Sequence, residues 1–201
     1  MRIENENMVM IHVRQSEEQQ FLYQCSIQDH VADVIPPLVH IHNLQLLISR
    51  LQKAAQQLLA HDHISHLPPS TDKDAGESGT YETAEGLKLD PSREEVRVLL
   101  KALAEAGTCA SERQVAYKVP LTPYMLEDAI DAIKAAVLRC YPTGLPSDHP
   151  LYKELEGVPS NLGLVVDSVQ LWWAGKQLQR SRRLCDYTGK NDKTKILVKL
   201  L

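Results

Sequence analysis

The sequence predicts an α+β protein that is mostly α. Three observations lead there. Two short β-prone runs joined by a polar turn open the chain. Several longer stretches repeat apolar residues at helical spacing. Between them lies a polar stretch without periodicity, rich in Pro, Gly, Ser and Thr. The expected organisation is a small N-terminal β-hairpin plus helix over 1–60, a flexible linker over 61–90, and a C-terminal helical domain over 91–201.

The first runs are MVMIHV at 8–13 and FLYQC at 21–25, separated by the polar residues 15–20, which reads as a hairpin. Leu44, Leu47, Ile48, Leu51, Ala54, Ala55, Leu58 and Leu59 recur every three or four positions and predict a helix over 43–60. Pro36-Pro37 is expected to break whatever precedes it, since proline lacks the N–H and clashes one turn back. Asp90-Pro91 reads as a helix start, with the stripe Val96, Leu99, Leu100 and Leu103 behind it and Gly107 as its stop. Thr122-Pro123 repeats the start signal. Leu126, Ile130, Ile133 and Val137 then give a helix ending near Cys140. A proline-rich loop follows, then one or two helical turns before Gly157, and a last helix over 162–184.

At 201 residues the chain is long enough to bury a real core, about 70% of its unfolded surface. Apolar residues make up 43% and charged ones 24%, ordinary for a soluble globular protein. Phe21 is the only phenylalanine, so aliphatic side chains must fill most of the core. No run approaches the ~20 apolar residues of a membrane span, so no membrane partner is expected. The opening residues have no apolar segment of signal-peptide length. Cys25, Cys109, Cys140 and Cys185 are far apart and form no C-x-x-C pair, which suits reduced thiols rather than disulfides or a zinc site.

The chemistry-bearing motifs point away from catalysis. LCDYTGKNDKTK at 184–195 contains Gly-Lys, but Leu184 stands where a phosphate loop needs glycine, and Asn191 where it needs a magnesium-ligating hydroxyl. His61, His63 and His66 fall in a linker and lack the rigid support of a metal site. No nucleophile elbow, H-E-x-x-H or dinucleotide fingerprint is present. The expectation is therefore no enzyme, no cofactor, no metal and no small-molecule substrate.

Charge is distributed unevenly. From Lys176 onward, eight Lys/Arg against two Asp give +6, so the rest of a chain that is −4 overall carries −10. A basic end on an acidic body suits an acidic partner surface, or docking of the end on the body itself. On the predicted last helix, Leu162, Val165, Val166, Val169, Trp172 and Trp173 lead into Lys176, Arg180 and Arg183 along one stripe. Tryptophan and arginine dominate binding hot spots, so this stripe is the candidate partner groove. The alternative is a binding module for acidic polymers, nucleic acid or acidic tubulin tails, through Lys176, Arg180, Arg182, Arg183 and Lys190. Nucleic acid is disfavoured because the acidic body repels a long polyanion.

Three ordered motifs resemble the cilia- and flagella-associated protein 298 family. They are a Tyr-Pro-x-Gly-Leu-Pro loop at Tyr141, Pro142, Gly144, Leu145 and Pro146, a Leu-Trp-Trp-Ala-x-Lys segment at Leu171 to Lys176, and Asp-Tyr-x-Gly-Lys-Asn-x-Lys-Thr-Lys-Ile from Asp186 to Ile196. His149 before Pro150, and Pro36-Pro37, depart from the family pattern. The resemblance implies a non-enzymatic factor for ciliary motility, acting in the assembly of axonemal dynein arms. It would work in the cytoplasm and near the ciliary base, with dynein arm assembly factors and dynein chains as partners. It makes Asp186, Tyr187, Lys190 and Lys193 a docking segment beside the tryptophans. The hairpin-then-helix start also looks like the first half of a ubiquitin-like β-grasp.

Overall fold

Alternating burial along the first two runs produces the expected hairpin: β1, Met8–Arg14, pairs antiparallel with β2, Gln20–Ser26. The structure is a computed structural model and describes residues 7–65, 93–145, 147, 149–156, 163–189 and 195–201. After the hairpin come the helices α1 (Val31–Ser65), α2 (Arg93–Ala110), α3 (Arg113–Ala116), α4 (Pro123–Cys140) and α5 (Pro150–Leu155). They are followed by strands β3 (Leu171–Trp173) and β4 (Lys176–Leu178), the short helix α6 (Cys185–Thr188) and strand β5 (Lys195–Leu200). Most of the expected linker, 66–90, lies outside the described residues, as does the Asp90-Pro91 start signal.

The five strands form one sheet in the order β2-β1-β5-β3-β4. The central pair, β1 and β5, is parallel; β2 and β3 flank it antiparallel, and β4 pairs antiparallel with β3 at the edge. With a long helix crossing between the first hairpin and the later strands, this is the arrangement of a ubiquitin-like β-grasp. The α+β expectation holds. The expected long helix over 162–184 does not form. Its described residues make β3, β4 and the start of the segment leading to β5, so two of the five strands come from this region.

α1 is longer than the periodicity suggested. It starts at Val31 and runs through Pro36 and Pro37. The two prolines remove the donors that the carbonyls of Ala32 and Asp33 would meet, at about 3 kcal/mol each. Burial offsets this: Val31, Val34, Ile35, Leu38, Val39 and Ile41 are all at most 2% exposed, and each contributes about 1.5–3 kcal/mol. Backbone groups from the far end of the chain also help. The N–H of Val31 donates to Arg182 O at 2.9 Å, and that of Ala32 to Arg180 O at 3.0 Å, so distant carbonyls cap the first turn.

By length and hydropathy, residues 31–56 could cross a membrane. In the fold their apolar side chains are taken up by protein: Val31, Ile35 and Leu38 belong to the core cluster that the inward strand residues share, and α2, α4 and α5 pack further along. α1 is the core helix of the fold.

Polar side chains of α1 fasten the inserted helices. Gln45 Nε2 donates to Ala110 O at 2.7 Å, and Gln52 Nε2 to Leu103 O at 3.1 Å. Asn43 pairs both ways with the backbone of Leu164, at 2.9 and 2.8 Å. Gly107 is not a helix stop, since α2 continues to Ala110. It is a packing position: a β-carbon there would lie 2.1 Å from Gln52 Nε2. Thr122 does cap α4, accepting from Met125 N at 3.4 Å, and α4 buries the expected face, including Leu126, Ile130 and Ile133.

The central position of β5 gives a direct expectation. Ile196 is fully buried, and Ile196→Ala should cost about 2–5 kcal/mol in urea-monitored unfolding. A chain ending before β5 should lose its cooperative transition in circular dichroism. A sharp transition in that truncated chain would mean the N-terminal hairpin and helices fold without the parallel pair.

Candidate functional site

The tryptophans sit on a hairpin rather than a helix. β3 and β4 are joined by Ala174 and Gly175 alone, since Trp173 pairs with Lys176. Both linking residues have positive φ, 49° and 77°. Two consecutive left-handed residues suit a two-residue hairpin loop and cannot occur inside a right-handed helix. Glycine takes this conformation freely, whereas Ala174 takes it at about 1–2 kcal/mol.

In a strand, neighbouring side chains point to opposite faces. Trp172 and Trp173 therefore do not share a stripe. Trp173 turns inward, half-buried against the core cluster. Trp172 turns outward, half-buried, and its indole N–H donates to Gln170 Oε1 at 3.3 Å.

The basic residues have diverse roles. Arg180 Nη2 donates to the carbonyls of Val169, at 2.8 Å, and Val166, holding the loop that enters β3. Arg183 Nη1 donates to Gln28 Oε1 at 3.3 Å, and Arg182 Nε to Gln179 Oε1 at 3.4 Å. Lys176 is exposed at the hairpin end. Asp186 Oδ2 accepts from Arg183 N at 3.1 Å, closing the turn into α6. Tyr187 Oη accepts from Gln179 N at 2.8 Å, beside the end of β4. Lys190 and Lys193 lie outside the described residues.

These contacts form part of a seam. Leu184 N donates to Asp29 O at 3.1 Å, and Cys185 N to Ile27 O at 2.8 Å. Together with the two carbonyls capping α1, they stitch 180–185 along 27–32. The basic segment thus docks on its own chain, one of the two outcomes the charge asymmetry allowed.

Sequence reasoning missed a second group: Lys195, Leu197 and Lys199 of β5, with Met10 and His12 of β1. The signal was present in KILVKL, whose strict alternation has the burial order exposed-buried throughout.

His12 Nε2 lies 2.8 Å from Gln20 Oε1. Its pKa is held below the usual 6.5, chiefly by burial and also by the Lys195 and Arg14 charges, which outweigh the Gln20 hydrogen bond. His42 is 7% exposed, and burial lowers its pKa too. It lines a cavity of about 420 Å3 with Glu18, Gln45, Ser49 and Glu112. A more apolar cavity of about 360 Å3 lies under the 141–145 loop, between Leu138, Tyr141, Leu145, Tyr152 and Leu155. The Cys25 thiol is pushed up to about 12, first by burial and then by Asp29, so it stays protonated and inert. Among the described residues, no group of three or more His, Cys, Asp or Glu could hold a metal.

Two expectations follow from these contacts. Arg180→Ala removes a charged donor from two carbonyls and should cost about 1–3 kcal/mol of stability. Arg183→Ala, at an exposed contact, should cost less than about 1 kcal/mol by the same urea measurement. His12 and His42 have folded pKa values below their unfolded 6.5, so the unfolded chain binds protons first as pH falls. Their stabilisation is present above about 6.5, the unfolded value, and is lost progressively as pH falls below it through the lowered folded values. The urea midpoint should fall over that window, and less steeply in His42→Gln. An unchanged slope in that variant would assign the loss to other groups.

The sequence profile of the cilia- and flagella-associated protein 298 family matches residues 169–201, the region of β3, β4, α6 and β5. Cilia- and flagella-associated protein 298 of Mus musculus is 32% identical over 227 residues, covering 96% of this chain and 76% of its own length. The Homo sapiens protein is 32% identical over 222 residues with the same coverage, and the Drosophila melanogaster protein 28%. No solved structure matches the chain.

Proposed function

Because the chain belongs to the cilia- and flagella-associated protein 298 family, we propose that it is a non-enzymatic factor for ciliary and flagellar motility that acts in assembling the outer dynein arms of the axoneme. It works in the cytoplasm and at the basal body by binding other proteins, namely arm assembly factors and dynein chains. The observation that carries this reading is similarity over 96% of the chain to proteins named for cilia and flagella. Binding of an acidic polymer through Lys176, Arg180, Arg182, Arg183 and Lys190 draws less support, because Arg180, Arg182 and Arg183 already hold hydrogen bonds within the fold.

Electron microscopy of axonemes from ciliated cells depleted of the protein tests the proposal. Outer arms should be lost, beating should weaken, and re-expression of this chain should restore both. Complete arms and normal beating in depleted cells would overturn it.

A further inference from the structure

We propose that the outer face of the sheet is a docking surface for an acidic protein segment that carries an apolar anchor. This deepens the proposed function by naming the surface through which the protein binds a partner.

The two faces of the sheet differ sharply. Inward positions such as Val9, Ile11, Val13, Ile196, Val198 and Leu171 are fully buried over α1. Outward positions form one patch by register: Met10 stands opposite Lys195, His12 opposite Leu197, and Lys199 opposite Trp172. Side chains opposite one another in adjacent strands are close enough to form a continuous surface. Among the described elements, the edge of β2 at Leu22 is paired by the 120–121 segment. Leu22, opposite His12, is buried, whereas Lys195, Leu197 and Lys199 of β5 are exposed, so the open part of the face centres on β5.

Two features of this patch go beyond a solvated face. Leu197 is 49% exposed on β5, which is flanked by strands on both sides, so an apolar side chain stands near the middle of the sheet. Met10 and Trp172 add half-buried apolar surface beside it. Apolar area at the centre with charge around it is the anatomy of a protein interface. The charge is of one sign. The outward strand positions include Arg14, Lys195 and Lys199 and no Asp or Glu, in a chain of net charge −4. Arg14 approaches Glu17 of the turn only to 3.9 Å, while Lys195 and Lys199 form no ion pair among the described residues. A cationic rim on an otherwise acidic molecule selects an acidic partner by charge complementarity. The exposed apolar centre favours a polypeptide with an anchoring side chain over a uniformly charged nucleic-acid backbone.

The experiment selects a random peptide library on the full chain, in parallel with Lys195→Glu/Leu197→Ser/Lys199→Glu. These positions are exposed or half-exposed, and circular dichroism checks that the variant folds. The expected winners are rich in Asp and Glu around one apolar or aromatic residue. They should bind the variant at least about tenfold more weakly. The His12 ring is a local reporter: it is faced by Arg14 of its own strand, Gln20 of β2 and Lys195 of β5. An acidic peptide seated there should raise its pKa in an NMR titration.

Selection of basic or charge-free peptides would overturn the proposal. So would equal binding to the variant, no enrichment at all, or tighter binding of a single-stranded oligonucleotide at the same face. Loss of dynein arms in depleted cells does not depend on this outcome, so the two readings fail separately.

Discussion

The parallel pairing of β1 with β5 is the constraint on which the rest of the structure depends. Parallel neighbours cannot be joined by a tight turn, so the chain must leave the sheet and return from the other end. Here the excursion is nearly the whole protein. α1 makes the crossing, α2 to α5 are inserted after it, and β3 and β4 precede the return. Ile11 and Ile196, paired in this register, lie at the bottom of the core with no exposure.

The second support is the seam between 27–32 and 180–185. α1 begins with orphan N–H groups, like every helix, and two of them find carbonyls about 150 residues away in sequence. The backbone of a basic segment thus seats the helix whose apolar side closes the sheet. This accounts for the local role of Arg180: its side chain holds the loop at Val166 and Val169 while its carbonyl caps Ala32. Reversing the charge at Arg180 would disturb this support as well as any partner, so it cannot isolate a binding surface.

The site follows from the same geometry. A helix would have set Trp172 and Trp173 beside Lys176 and Arg180 on one stripe. The hairpin sends one indole into the core and the other onto the outer face, where β5 contributes Leu197 between two lysines. The proposed partner surface therefore lies on a sheet face rather than on a helix stripe, and its lysines, Lys195 and Lys199, form no ion pair among the described residues.

Local signals were legible in the sequence wherever a short-range rule applied. The first hairpin, α4 with its Thr122 cap, the short α5 and the α+β class could be read from alternation, 3.6-residue periodicity, the Thr122-Pro123 start and the turns expected after the proline-rich loop. The family resemblance was carried by three short motifs, of which Leu171 to Lys176 forms the β3–β4 turn. Tertiary structure decided the remainder. Pro36 and Pro37 sit inside a helix because burial of the surrounding aliphatic side chains outweighs two lost hydrogen bonds. Gly107 continues a helix because Gln52 occupies the space a side chain would need. The 162–184 pattern satisfied a helical stripe by coincidence: its apolar residues precede the two-residue turn at Ala174-Gly175, and mainly polar and basic ones follow it. Whether it became helix or strand rested on an unpaired edge of β5, and β5 itself was fixed by β1 at the opposite end of the chain. Periodicity within a short window cannot contain that long-range pairing, which is why the sheet and its outer face emerge only in the folded molecule.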